Sequence, residues 1–203
     1  MNKFAQLPQE MQNALATNAG LMLSDFDPFA VGPAEEIRQA ILFATSGGLS
    51  VSCVPTYSDF GADVDNCPAN TKEMLRIDSW ACTASGTAIT LSTANAVSFL
   101  ANADSANEQG VDVVKPRFNV KDEDFKTLWY VCPYGTSGGF VAVKLDNAIN
   151  TGGLSIASEN KGKGKFAFSY SGYSSIDNPQ EVPFTFYLKA SSGEEVQQTE
   201  LDT

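Results

Sequence analysis

The feature that most constrains the fold is a long polar loop that leads directly into a long strand, within YSDFGADVDNCPANTKEMLRIDSWACTASGTAITL. The first part of this stretch is dense in residues that favour turns and interrupt regular structure: Asp59, Asp63, Asp65, Asn66, Pro68 and Asn70. We therefore predict a loop over residues 57–75. A loop of this length is uncommon in a compact domain and usually has a function.

The second part alternates between small, hydroxyl-rich residues and packed ones, as expected for a strand with one wet face. The first row is Ser79, Ala81, Thr83, Ser85 and Thr87, and the opposite row is Trp80, Cys82, Ala84 and Ala88. Gly86 lies where the alternation shifts phase, which predicts a β-bulge there. Residues 165–173 alternate in the same way, with Ala167, Ser169 and Ser171 opposite Phe166, Phe168 and Tyr170.

The remaining pattern predicts a mainly β, α+β domain of sandwich or barrel type over residues 18–190, with about ten strands. Further strands are predicted over residues 18–26, 49–54 (ended by Pro55), 125–132, 140–145, 154–157 and 182–189. The last strand is expected to point Phe184, Phe186 and Leu188 inward. One principal helix is predicted over 93–103, capped by Ser92 or Thr93. Residues 1–17 are interpreted as an N-terminal arm, 104–124 as a solvated charged excursion and 191–203 as an acidic C-terminal tail.

Charge and residue content argue against several function classes. With 24 acidic and 13 basic residues, the net charge of −11 opposes tight binding to nucleic acid phosphates. The chain has no histidine, and its four cysteines lack CxxC spacing, so no zinc site is expected. Cys53, Cys82 and Cys132 lie in strand or apolar stretches and are interpreted as small buried hydrophobic residues in a reducing compartment, whereas Cys67 alone lies in a loop. Asp59, Asp63 and Asp65 do not have the spacing of an EF-hand calcium loop.

An enzyme without histidine would need paired carboxylates, as in glycosidases, or a lysine or cysteine nucleophile. The acidic residues of this chain cluster in predicted loops and in the tail, away from the strand faces that would build a rigid site. We therefore expect no catalytic activity and no cofactor. No apolar run approaches the ~20 residues of a membrane-spanning helix.

The loop and strand, together with INTGGLSI and KGKGKFAFSYSGYSSID, resemble the major tail tube protein of long-tailed, siphovirus-like bacteriophages. The similarity extends from about Asn18 to Lys189. It implies a β-sandwich with one helix, whose subunits join edge to edge into six-fold rings that close an inner β-barrel and stack into a tube. It also favours a short turn followed by a strand over 41–45, although Pro33, Glu35 and Glu36 form a good helix start.

The resemblance implies that loop 57–75 is a stacking loop that packs on the adjacent ring. Its candidate contacts are Tyr57, Asp59, Phe60, Asp63, Val64, Asp65, Met74 and Leu75, with Arg117 and Lys121 as basic partners on the neighbour. The lumen is expected to carry small hydroxyl residues and net negative charge. Its candidate residues are Ser79, Thr83, Ser85, Ala167, Ser169 and Ser171.

The implied partners are further copies of the chain, a tape measure protein, a tail terminator and baseplate or tip proteins, while DNA passes through without specific binding. The expected location is the virion tail, after synthesis in the cytoplasm of the host bacterium. Other readings stay open: a loop folded back over its own sandwich, the tube of a contractile tail or secretion-like injection apparatus, and a capsid-decorating β-protein. The acidic tail is expected to be an interaction arm or disordered in the free subunit.

Overall fold

The computed structural model describes residue 11 and residues 19–135, 138–158 and 160–190. The predicted C-terminal tail and, apart from Met11, the predicted N-terminal arm lie outside the described residues. The described chain is mainly β, as predicted, and its strands pair antiparallel. Its strands are β1 (Leu21–Leu23), β2 (Thr45–Asp59), β3 (Leu75–Ala88), β4 (Ala103–Glu108), β5 (Val111–Pro116), β6 (Lys126–Tyr134), β7 (Gly139–Asn150), β8 (Ser155–Ala157), β9 (Lys165–Gly172) and β10 (Phe184–Lys189).

Two seven-residue helices, α1 (Ala34–Ala40) and α2 (Thr93–Phe99), accompany the strands. The main sheet has the order β1-β6-β7-β9-β3-β2, with β10 added beside β7 and β8 beside β9. Strand β7 is the branch point, because β10 pairs with its first half and β9 pairs with its end at Ala148–Asn150. The sheet therefore divides into two parts at β7. Strands β4 and β5 form a separate hairpin.

The larger core cluster is built around aromatic rings from distant parts of the chain. The rings of Phe43 and Phe168 lie 4.8 Å apart, and those of Phe99 and Phe168 are stacked at 6.0 Å. Phe99 is fully buried at the end of α2, a helix that begins where the Ser92 hydroxyl accepts a hydrogen bond from the Asn95 amide. Burial of each ring stabilises the fold by roughly 1.5–3 kcal/mol. A second cluster, Leu23, Phe26, Trp129, Phe140 and Ala142, packs under α1.

A buried amide connects three of these elements. The Asn150 side chain donates to the carbonyl oxygens of Phe99 (2.6 Å) and Gly153 (3.1 Å). Its own oxygen accepts from the backbone amides of Gly152 (3.2 Å) and Ser169 (2.9 Å). The end of α2, the end of β7 and strand β9 are therefore joined through one fully bonded polar group.

Two predictions in the first third of the chain are wrong. Residues 34–40 form a helix, and Ile41 makes only an isolated bridge to Leu23, so the predicted turn and strand over 41–45 do not form. The sequence signal for a helix start at Pro33 matches the structure, because the helix begins at Ala34. Strand β2 also continues past Pro55 to Asp59. Because β2 is the last strand of the sheet, one of its sides has no ladder partner in the described subunit, and such an edge tolerates a proline.

The helix predicted over 93–103 ends earlier, and part of the expected excursion is regular. Helix α2 stops at Phe99, and strand β4 already begins at Ala103. The β4–β5 turn places Gln109 and Gly110 at φ values of 54° and 83°. Two successive positive φ angles match the type I′ turn that is favoured in two-residue hairpins. Residues 103–116 therefore form a hairpin, although most of its side chains are solvent-exposed as expected.

The predicted bulge at Gly86 is wrong, because β3 pairs with β9 without interruption from Thr83 to Ala88. The β2–β3 pair does shift register beside Gly86, but the extra residues are in β2 between Thr45 and Leu49, where Gly47 and Gly48 have φ values of 81° and 85°. A second register shift lies between Thr56 and Tyr57. Gly86 instead provides room for its neighbours, since a Cβ there would lie 2.7 Å from the Leu49 side chain.

The inward direction predicted for β10 is also only partly correct. Phe184 packs against the larger core cluster, whereas Phe186 and Leu188 are more than half exposed. Tyr187 takes the inward position, with its ring 5.5 Å from that of Trp129. The alternation of β10 was therefore assigned to the wrong face over most of the strand.

Candidate functional site

The β2–β3 hairpin extends beyond the main sheet. Strand β3 pairs with β9 only from Thr83 onward, whereas its pairing with β2 continues from Cys82 out to Leu75. We call residues 53–82 the β2–β3 arm. Neither outer edge of this ribbon pairs with another strand of the described subunit. At about 3.3 Å per residue, the eight residues of β3 in the arm span about 26 Å.

The loop at the end of the arm, residues 60–74, is shorter than the predicted 57–75 because the strands continue to Asp59 and from Leu75. Its base is closed by a hydrogen bond of 3.1 Å from the Phe60 amide to the Met74 carbonyl. The two carboxylate oxygens of Asp59 accept hydrogen bonds from the amides of Gly61 (2.8 Å) and Asn70 (2.9 Å). Asp59 therefore shapes the loop, whereas Asp63 and Asp65 are solvent-exposed.

Apolar side chains at the end of the arm face solvent. The exposed fractions are 53% for Tyr57, 59% for Phe60, 50% for Val64, 36% for Met74 and 48% for Leu75. The Arg76 guanidinium lies 5.0 Å from the centre of the Phe60 ring and orients it. The subunit therefore does not cover these side chains, contrary to the alternative of a loop folded back over its own sheet. Val54, Ile77 and Trp80 add exposed apolar surface along the arm, and the placement of Trp80 on a packed face was wrong.

A second surface is the hydroxyl face of β2, β3 and β9. Thr83 lies opposite Ser52 on one side and Ser171 on the other, and Ser85 lies between Ser50 and Ser169. The Ser52 and Thr83 hydroxyl oxygens are 2.8 Å apart. The reverse side carries Cys82, Ala84, Phe168 and Tyr170, all buried. The period-two alternation correctly separated these two faces on β3 and β9.

Five of the six predicted lumen residues lie on this face, as Thr83, Ser85, Ala167, Ser169 and Ser171 belong to the paired part of β3 and β9. Ser79 lies instead on the arm, opposite Thr56. Ser50 and Ser52 of β2 also belong to this face and were not predicted, although their spacing of two residues in SVS was a usable signal. None of these side chains is charged, and the charged residue that follows the same alternation is Lys165 at the start of β9. The predicted negative charge is therefore absent from this set of residues.

Arg117 and Lys121, predicted to meet carboxylates of a neighbour, lie in an acidic cluster of their own subunit. The Arg117 side chain is 11% exposed and makes a two-pronged contact with Asp124, including a hydrogen bond of 2.7 Å. It also reaches Asp104 at 3.1 Å, and this hydrogen bond holds the pKa of that carboxyl below its ordinary value. Lys121 binds Glu123 at 3.0 Å, which raises the pKa of the lysine. The guanidinium of Arg117 thus fixes the chain that follows the β4–β5 hairpin.

Within the described residues, no group of three or more His, Cys, Asp or Glu side chains is placed to hold a metal ion. Neither helix of the described chain has the length and apolar character needed to cross a bilayer. Comparison with protein-family models and with curated proteins finds no match for this chain.

Proposed function

We propose that this chain is a structural virion protein that assembles into stacked rings and thereby forms the tube of a phage tail. The observation that supports this function most strongly is the β2–β3 arm, which projects from the sheet with unpaired edges and an apolar end. An unpaired strand edge is a template for another chain, and contiguous exposed apolar surface marks an interaction site.

Assembly into stacked rings would pair the free strand edges and bury the apolar end of the arm. Subunits related by rotation make head-to-tail contacts that close when the rotation is right, and a closed barrel leaves no unpaired edge. In this arrangement the end of the arm packs on the adjacent ring through Tyr57, Phe60, Val64, Met74 and Leu75. Asp63 and Asp65 are exposed beside them and give the contact its register more than its affinity.

The hydroxyl face is our candidate for the wall of the channel. Duplex DNA carries one charge per ~1.7 Å, and each lysine on the wall would add a phosphate contact that must be broken during passage. Thr83, Ser85, Ser169 and Ser171 offer only hydroxyl groups to this wall, and the basic residue of the same row is Lys165 at the start of β9. DNA therefore passes without specific binding.

The proposed partners follow from this architecture. Further copies of the chain form the rings, a tape measure protein occupies the tube during assembly, and a tail terminator and baseplate or tip proteins bind its two ends. The proposed location is the virion tail, after synthesis in the host cytoplasm. The proposed role is structural, with no catalytic residue and no cofactor.

Negative-stain electron microscopy of the purified full-length chain tests this function, and we expect rings or tubes. Replacing Ala62 to Asn70 with a short Gly-Ser linker should leave a folded, β-rich subunit that no longer forms tubes. A matched control places a similar linker in the exposed loop 175–180, and this variant should still polymerise.

Two results would contradict the proposal. Tubes of normal length from the Ala62 to Asn70 variant would show that the end of the arm is not the stacking element. Monomers alone from the unmodified chain at high concentration would refute self-assembly. Discrete particles without tubes would favour a decorating protein instead.

A further inference from the structure

We propose that Cys53 and Cys82 form a redox site at the base of the β2–β3 arm, where a small-molecule disulfide converts the two thiols into a cross-strand disulfide. The two residues lie directly opposite each other in the register of β2 and β3. Their sulfur atoms are 3.0 Å apart, and both cysteines are free thiols in this structure. This site does not depend on the proposed tube function.

The backbone is already suited to such a bond. Directly opposite residues of antiparallel strands have Cα atoms about 4.5–5.5 Å apart. Disulfides span Cα separations of about 4.4–6.8 Å, so directly opposite positions have the spacing that the bond requires. Cys67 differs, since its sulfur contacts the oxygen atoms of Pro68 and Thr71, each at 3.8 Å.

Accessibility determines the order of the two chemical steps. Cys53 is half-buried, whereas Cys82 is buried, and burial raises the pKa of the Cys82 thiol to about 12. The more accessible Cys53 sulfur therefore reacts first: as a thiolate it attacks one sulfur of the external disulfide, releasing one thiolate and leaving a mixed disulfide on Cys53. The Cys82 sulfur, as thiolate, then attacks the Cys53 sulfur and expels the second thiolate.

The overall reaction exchanges one external disulfide for one protein disulfide. The two protein thiols lose two protons and two electrons in forming one sulfur–sulfur bond, and the external disulfide is reduced to two small thiols. The bond would lie next to Thr83, at the point where β3 leaves β9 and the arm begins. It would therefore tie the two strands together at the base of the arm and close the chain between them into a loop.

The test uses the full-length Cys67→Ser chain, because Cys53 and Cys67 share the tryptic peptide 39–72 while Cys82 lies in peptide 77–117. The folded protein is incubated with oxidised glutathione at pH 8, quenched with acid, digested and analysed by mass spectrometry. We expect the two peptides to be linked, with a bond that dithiothreitol reverses. The thiol titre after denaturation should fall from three to one.

A second variant tests the order of the two steps. In Cys67→Ser/Cys82→Ser, the resolving thiol is absent, so glutathione should stay attached to Cys53. A stable glutathione adduct on Cys53 while Cys82 is present would overturn the proposal. So would an unchanged thiol titre of the folded protein under conditions in which the urea-unfolded chain is oxidised.

Discussion

Substitution of Phe60 by serine provides the sharpest test of the arm as an assembly element. Full burial of a phenylalanine side chain stabilises by roughly 1.5–3 kcal/mol. Because 59% of Phe60 is exposed in the subunit, the burial still available to an assembly contact is worth roughly 0.9–1.8 kcal/mol. If Phe60→Ser removes one such contact for each added subunit, the critical concentration for polymerisation should rise by roughly 4- to 20-fold.

The assay is sedimentation of polymer over a concentration series, with electron microscopy of the pellet. Phe118→Ser is the matched control, since Phe118 is fully exposed and lies outside the arm. Phe118→Ser should change the free energy of unfolding of the subunit by less than about 0.5 kcal/mol, because this side chain is fully exposed. Phe60→Ser should lower it by roughly 0.6–1.2 kcal/mol, because the part of the side chain that is already buried in the subunit is lost. Equal critical concentrations for Phe60→Ser and the unmodified chain would refute the reasoning, as would an equal rise in the control.

Three further outcomes are expected. Particles whose tubes carry Ser85→Lys and Ser169→Lys should assemble but eject DNA more slowly, measured by DNA release over time, and an unchanged rate would contradict the lumen assignment. Arg117→Met should lower the free energy of unfolding in urea by about 3–5 kcal/mol, because it leaves a buried carboxylate unpaired, whereas Arg38→Met removes only an exposed ion pair and should change it by less than about 0.5 kcal/mol. Burial raises the pKa of Tyr170 to about 12, so the folded state holds this proton more tightly than the unfolded chain, and stability falls between about pH 10 and 12. Tyr170→Phe lacks that part of the pH dependence, and its stability relative to the unmodified chain should rise by up to about 1.4 kcal/mol per pH unit in urea unfolding.

Where the sheet is regular, the period-two alternation of the sequence correctly predicted which side chains share a face. The small hydroxyl row of β3 and that of β9 face the same way because each strand obeys the period of two, and direct opposition of Thr83 and Ser171 follows from their pairing. The exposed apolar residues of the arm, Phe60 and Val64, were also recognisable as unusual within a polar loop. What alternation cannot show is how far a hairpin extends beyond its sheet, which explains the error at Trp80.

Other features depend on the position of a strand in the sheet. Pro55 ends a strand in the sheet interior but not at its edge, and the order of strands is a property of the whole chain. The partners of Arg117 are likewise set by tertiary structure, since Asp104 lies across the β4–β5 hairpin and Asp124 follows a turn. The charge pattern alone therefore indicated a solvated segment and concealed a largely buried ion pair.

The hydrogen bonds of Asn150 have a consequence for the kinetics of folding. Its amide group is satisfied only after the end of α2, the turn at Gly152 and Gly153, and strand β9 have all reached their final positions. Bonds of this kind are expected to form after the rate-limiting step, so they slow unfolding without accelerating folding. Asn150 is therefore expected to lengthen the lifetime of the folded subunit before it opens.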